Sequence, residues 1–350
     1  MRVFGQSAAI FCLAVSALAG QGGTAPAPPG AAPGPVKGAE EAARLLSAAR
    51  EALGGEKKLA GVTSFVATGR TRQVRGDNLV PIEFEIAVAL PDKYVRRDEI
   101  PAQESGPTST GFNGDGLIQL PLPDAPGAGR PGGAAPPPRA GGPPPAAGAG
   151  PGRPGGPPPD PRKARVTSIK QDFVKLTLGM FATSFSAYPL TFGFAGQAEA
   201  PQGKADVIDV KGEANFAVRL FVNSQTHLPI MVSWTVPVTS VTLKVAGQPA
   251  PANLPPGAVV AEVPAAPDAT ASQEDKDKYT KTVQDIRRKA IADAKPTEHR
   301  IYYADYRDVN GLQFPFRLRR AIAAETVEET NFDGFKLNAK IDPKKFETIK

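Results

Sequence analysis

Cysteine, histidine, tryptophan and methionine are almost missing from this 350-residue sequence, with one, two, one and three copies. Each scarcity removes a class of chemistry. The single cysteine, Cys12, lies inside the N-terminal apolar run AAIFCLAVSALA, and the residues before it, Ala9-Ile10-Phe11, do not form a lipidation box. Beyond that run no thiol remains, which excludes disulfides, thiolate metal sites and a cysteine nucleophile. His227 and His299 are far apart, and neither has a second histidine three or four residues away, the spacing a helix uses to hold zinc. No metal and no cofactor are expected. A GxSxG elbow, an HExxH helix and a GxGxxG loop are also missing. The run GFNGDG at 111–116 spaces its glycines as a hairpin turn does, not as a phosphate loop does. Glu83 and Glu85 stand two apart in a strand pattern and read as solvated carboxylates of one outer face. The chain is therefore expected to be non-enzymatic.

Long apolar runs are scarce as well. After the N-terminal run, no stretch is long and apolar enough to span a bilayer, and that run itself is too short. Preceded by Arg2 and closed by Ala17-Leu18-Ala19, it reads as a secretory signal peptide cleaved after Ala19, so the expectation is export to the periplasm. The net charge of +6 is modest, and Lys and Arg are mixed with Asp and Glu, as on a solvated surface. Nucleic acid is not an expected partner: the arginines at 130, 139 and 153 have no aromatic neighbours to stack on bases, and export removes them from such a substrate.

Proline and glycine, by contrast, are abundant and clustered. Residues 20–37 form a Pro/Gly/Ala-rich leader, 121–162 a low-complexity Pro/Gly segment, and 246–268 a Pro/Ala-rich interruption. Such stretches bury too little apolar surface to order themselves. The expected organisation is a signal peptide (1–19), the leader (20–37) and a single domain over 38–350 interrupted by disordered inserts at 121–162 and 246–268.

Within that domain the patterns are regular. Ala42, Leu45, Leu46, Ala49, Ala52 and Leu53 recur at helical spacing ahead of Gly54-Gly55. Ile82, Phe84, Ile86, Val88 and Leu90 alternate with Glu83 and Glu85 as in a half-buried antiparallel strand. Val166, Ile169, Phe173, Leu176 and Met180 return to helical spacing. Several strands follow over 190–245, with turns near Lys211-Gly212 and Thr226–Pro229, and a third, highly charged helix spans the segment around Tyr279, Val283, Ile286 and Ala290. The stretch DYRDVNGLQFPFRL, 305–318, is a hairpin about Asn310-Gly311. A three-residue loop, Val309-Asn310-Gly311, sets Tyr302, Ala304 and Tyr306 against Leu318, Phe316 and Phe314, keeping apolar residues together. Asp342-Pro343 caps a final turn. With eight to eleven strands and one or two helices against them, the predicted class is α+β: a strongly curved antiparallel sheet, an unclosed β-barrel, with helices capping the concave side.

This order of parts resembles a known family. The succession ALGGEKKLAGVTSFVATG, ALPDKYVRRD, NGDGLIQL, an apolar helix, RLFVNSQTHLPIMVSW, YYADYRDVNGLQFPFRL and FKLNAKIDPKKFE is similar to the periplasmic lipoprotein-sorting carriers of the LolA/LolB-like superfamily, from about Glu40 onward and apart from the inserts. The resemblance implies a hydrophobic hollow that receives a lipid or the acyl chain of a lipoprotein. One position departs: the arginine those carriers place before the proline ending an early strand is Leu90 here, with Arg96 and Arg97 close by in sequence. Phe84, Ile86, Val88, Phe173, Met180, Phe314, Phe316 and Leu318 are the candidates to line such a hollow. The partners expected are the lipid or acyl chain and an envelope protein or membrane surface, with the chain itself a monomer. The other reading of the same residues is an envelope sensor or interaction module whose hollow is filled by its own side chains and whose Pro/Gly segment docks a partner.

Overall fold

Alternating apolar and polar residues build most of the molecule. In a computed structural model that describes residues 38–75, 78–101, 106–121, 160–200, 203–251, 254 and 257–349, helix α1 (Ala39–Ala52) and a short α2 (Glu56–Ala60) precede five strands: β1 (Ser64–Arg75), β2 (Asn78–Ala89), β3 (Lys93–Glu99), β4 (Thr108–Asn113) and β5 (Gly116–Leu120). Helix α3 (Pro161–Phe181) leads to β6 (Thr191–Ala200), β7 (Gly203–Lys211), β8 (Ala217–Asn223) and β9 (Pro229–Val236). Then come β10 (Val241–Val245), β11 (Val259–Val263), α4 (Gln273–Asp293), β12 (Thr297–Val309), β13 (Leu312–Ile322), β14 (Glu325–Leu337) and a 3-10 turn, Pro343–Phe346. The expected signal peptide, the leader and most of the first Pro/Gly segment lie outside the described residues.

Among the described residues, twelve strands form one antiparallel sheet in the order β5-β4-β3-β2-β1-β14-β13-β12-β9-β8-β7-β6, with β5 and β6 at its edges and no pairing between them to close a barrel. The α+β class read from the sequence is thus observed. The sheet must curl, as one helix shows. β4 and β9 are seven spacings apart, about 34 Å in a flat sheet. Yet on α3 the Lys170 Nζ sits 5.6 Å from the ring of Phe112 in β4, and the Lys175 Nζ 4.6 Å from that of Trp234 in β9. Five helical residues span only about 7.5 Å.

Helix α1 buries Ala42, Leu45, Leu46 and Ala49 against this side of the sheet, with Glu40 and Glu41 in its first turn and Arg50 in its last, as the helix dipole favours. The Gln313 backbone N–H donates to the Leu53 carbonyl at 2.8 Å and ties the helix end to β13. Helix α3 begins at Pro161, and the Asp160 carboxylate caps it by accepting from the Arg162 N–H at 2.9 Å. Its buried stripe includes Val166, Ile169, Phe173, Leu178, Met180 and Phe181. Gly179 allows α3 to lie directly on the ring of Tyr303 in β12, where an added Cβ would come within 2.4 Å of ring carbons. On the opposite side of the sheet Phe346 of the final turn covers Ala87, Val95 and Ile118.

Two features depart from the sequence reading. The β12–β13 hairpin takes a two-residue turn, with Val309 opposite Leu312 and both Asn310 (φ 56°) and Gly311 (φ 80°) left-handed. Both positive angles suit the Asn-Gly turn that matches strand twist. The shorter turn moves the whole register by one residue, so Leu318 faces Tyr303 rather than Tyr302, and Phe314 faces Arg307 rather than Tyr306; the pairing keeps that register on both sides of Asp305, which is itself left-handed (φ 56°). The apolar–charged proximity is accommodated by the Arg307 guanidinium lying 4.7 Å over the Phe316 ring. The second departure is β11, which falls inside the Pro/Ala-rich stretch 246–268 and pairs parallel with β10 in a separate two-stranded sheet. Helix α4 packs on that pair, buries no residue of its own and is capped by Ser272, whose side chain accepts from the Asp275 N–H. This annex leaves β9 at Val236 and re-enters β12 at Thr297, two residues paired with each other.

Candidate functional site

Strand alternation decides which side chains meet beneath α3. On β3, Tyr94, Arg96 and Asp98 share the inner face, while Arg97 and Glu99 pair at 3.8 Å as exposed residues. On β13, Leu318 and Arg320 point the same way as each other. Where α3 and the curled sheet part, a cleft of about 500 Å³ remains, in the ordinary range for a ligand site. Ile86, Ile301, Leu318 and Phe332 from the strands and Ile169 and Leu176 from α3 supply its apolar surface. Arg96, Arg165, Lys175 and Arg320 bring four cations to it, and Asp98, Asp172 and Glu328 three carboxylates.

Two of those cations are spoken for. Arg96 donates from Nε to Asp98 Oδ1 at 2.7 Å and from Nη2 to Thr71 Oγ1 at 3.2 Å, and lies 4.7 Å over the Phe84 ring. Burial is the largest single effect and works against its charge, but Asp98, through charge and hydrogen bond, together with Tyr94 and Glu328 outweighs it, so its pKa stands above the ordinary value. Lys175 pairs with Asp172 at 2.7 Å across one helical turn. The backbone carbonyl of Lys175 accepts the Tyr303 hydroxyl, whose pKa burial pushes up. Burial likewise raises the Tyr94 hydroxyl. His299 stacks on Trp234 with ring centroids 5.4 Å apart, and its pKa is lowered by burial first and then by the charges of Arg320 and Lys175. Arg320 differs from the first two cations. Its Nε is buried and has no hydrogen-bond partner among the described residues, although Ile301 and Glu328 lie opposite it on the neighbouring strands.

The eight residues singled out in the sequence divide. Ile86 and Leu318 line the cleft. Phe84, Val88, Phe173, Met180, Phe314 and Phe316 are all buried in the principal core and do not border it. Phe173 packs on Tyr94, Phe112 and Phe185 with centroids 5.4–6.1 Å apart, and Phe314 stacks on Phe335 at 4.9 Å. A tilted aromatic cluster of this kind fills space instead of leaving it. Sequence reading missed Arg96, Lys175, Trp234 and Arg320; for Arg96 the signal was present in the alternation of Tyr94, Arg96 and Asp98. Among the described residues, no three His, Cys, Asp or Glu side chains gather as a metal ion would need, and no helix is long and apolar enough to cross a membrane. The cleft's lining is mixed, with apolar side chains from both the helix and the sheet interspersed with cations and carboxylates.

No family model matches the chain, and no curated protein matches it. Solved structures resemble it at low identity. A LolA superfamily protein from Nitrosomonas europaea is 12% identical, with 88% of this chain and 97% of that one covered and a TM-score of 0.43. A domain from Vibrio parahaemolyticus, assigned provisionally as an outer membrane lipoprotein-sorting protein, is 7% identical over 87% and 97%, at 0.40. A DUF1329 family protein from Desulfovibrio piger is 5% identical over 89% and 98%, at 0.39. At such identities and TM-scores these are likenesses of shape, from which neither family membership nor function follows.

Proposed function

We propose that this chain is an exported, periplasmic, non-enzymatic carrier-like protein that holds the acyl chain of a lipid or lipoprotein beneath α3. The observation that carries the reading is the 500 Å³ cleft with apolar walls on both the helix and the sheet. Ten methylenes buried there contribute about 8 kcal/mol at roughly 0.8 kcal/mol each. An association cost of at least about 4 kcal/mol offsets half of that. The tail alone then supports an affinity near millimolar. The test is extraction and mass spectrometry of the purified protein together with titration by a fluorescent fatty acid, with Leu176→Trp filling the cleft. Co-purifying lipid and saturable binding that the variant loses support the reading; a clean protein that binds no fatty acid refutes it.

A second reading is favoured by one observation, the six predicted lining residues packed into the core. On that reading the hollow is self-filled and the protein is an envelope interaction module that uses the Pro/Gly segment to dock a partner. Deleting residues 122–159 separates the two. A carrier keeps its lipid binding without them, and an interaction module loses its partner.

A further inference from the structure

We infer that the cleft selects an amphiphile with an anionic head, a phosphate or carboxylate, and that Arg320 is the residue that recognises it. The inference rests on the amphiphile reading above and names the class of ligand. A tail held only by burial binds weakly, so discrimination must come from polar groups around the cleft. Of its four cations, Arg96 is committed to Asp98 and Thr71, and Lys175 to Asp172. Arg165 has no ion pair or hydrogen bond among the described residues and stands exposed on α3 at the cleft. Arg320 carries a buried Nε–H that no acceptor among the described residues receives.

A buried donor on a charged group that lacks an acceptor is costly, and an arriving acceptor removes that cost as well as adding a charge-assisted hydrogen bond. A neutral head offers no such relief. Asp98 and Asp172 do not repel an anion as free carboxylates would, because each already faces its own cation. That leaves Arg165 and Arg320 against Glu328, a surplus of positive charge. The apolar wall beside Arg320 is Leu318, two residues earlier on the same strand face, and Ile301 directly across from it. Head and tail contacts are therefore contiguous, as one ligand would require.

Trp234, the only tryptophan in the sequence, lines the same cleft and reports binding directly. The experiment titrates the purified protein with 1-lauroylglycerol, 1-lauroylglycerol 3-phosphate and glycerol 3-phosphate below their aggregation thresholds, following Trp234 fluorescence. The expected result is binding about tenfold tighter or more for the phosphate-bearing lipid than for the neutral one, a preference that weakens with added salt. Arg320→Gln should bring the two lipids level without weakening the neutral one, and Arg320→Lys should keep part of the preference. Lys175→Met is the second variant, and circular dichroism verifies the fold of each. Lys175→Met leaves the Asp172 carboxylate without its cation at the same cleft, and the resulting repulsion of an anionic head should lower the preference even where Arg320→Gln fails to fold. Equal affinity of the wild-type protein for both lipids overturns the headgroup inference and leaves the carrier reading standing. So does a preference that a folded Arg320→Gln leaves unchanged, or, where that variant does not fold, one unchanged in Lys175→Met. Glycerol 3-phosphate binding as tightly as the lipid overturns the inference by making the tail irrelevant, and failure of both lipids to bind removes the carrier reading along with it.

Discussion

Replacing Phe173 and Leu318 by alanine, one at a time, separates packed interior from ligand wall. Phe173 is 1% exposed and ringed by Tyr94, Phe112 and Phe185 at 5.4, 5.5 and 6.1 Å. Its ring is held between α3 and the β3–β4 end of the sheet, so the neighbours cannot collapse far into the space it leaves. Truncation of a buried phenylalanine then costs about 3–5 kcal/mol. Leu318 is only partly buried, with one side against the core and the other on the cleft. Losing its three outer carbons removes at most about 2.4 kcal/mol of burial, and roughly half that for a side chain covered on one side. Urea unfolding followed by circular dichroism measures both. Acyl-chain affinity should move the opposite way: about fivefold weaker for Leu318→Ala and within twofold of wild type for folded Phe173→Ala. A Phe173→Ala protein that loses less than about 1 kcal/mol, or that gains lipid affinity, would refute the reasoning, because the aromatic cluster would then be adaptable space open to a guest.

Gly179→Ala should destabilise by about 1–3 kcal/mol despite alanine's better helix propensity of about 1 kcal/mol. The new methyl meets a Tyr303 ring whose hydroxyl is already tied to the Lys175 carbonyl, and thermal unfolding reads the loss. Tyr306→Phe removes one hydroxyl shared between the carbonyls of Gly179 at 2.8 Å and Pro229 at 2.7 Å, and should cost about 1 kcal/mol in the same assay. For His299, the folded pKa lies below the ordinary 6.5, so the unfolded chain takes up the proton first. Stability should therefore fall as pH drops below about 6.5 and go on falling until the folded-state pKa is reached, and His299→Gln should flatten that part of a stability–pH curve.

The sheet was legible wherever one face was buried. Ile82, Phe84, Ile86 and Val88 all fall on the inner face of β2, and Glu83 and Glu85 turn outward, toward Arg70 at 3.6 Å and toward Lys345. Alternation names a face but not how full the space beneath it is: Phe173 is packed among Tyr94, Phe112 and Phe185, and Phe314 among Phe65, Phe181 and Phe335. The hairpin register differed because the turn has two residues, Asn310-Gly311, where keeping apolar residues opposite one another favoured three, and the cation over the Phe316 ring makes the apolar–charged register tolerable. Arg96 and Arg320 escaped because polar residues in alternating strands are read as solvated, and only a curled sheet with a helix across it turns them into lining. β11 was hidden by the prolines and alanines around Val259–Val263.

The pairing of Val236 with Thr297 has a practical side. Everything from Pro237 to Pro296 departs and returns at adjacent rungs of the ladder, which makes that annex the topological equivalent of an oversized β-turn. A two-residue linker could close the same gap, and an unrelated module could be grafted there without rerouting either strand. Because Trp234 lies two residues before the exit point and lines the cleft, a fluorescent graft at this socket would sit close enough to the cleft to report its occupancy from outside.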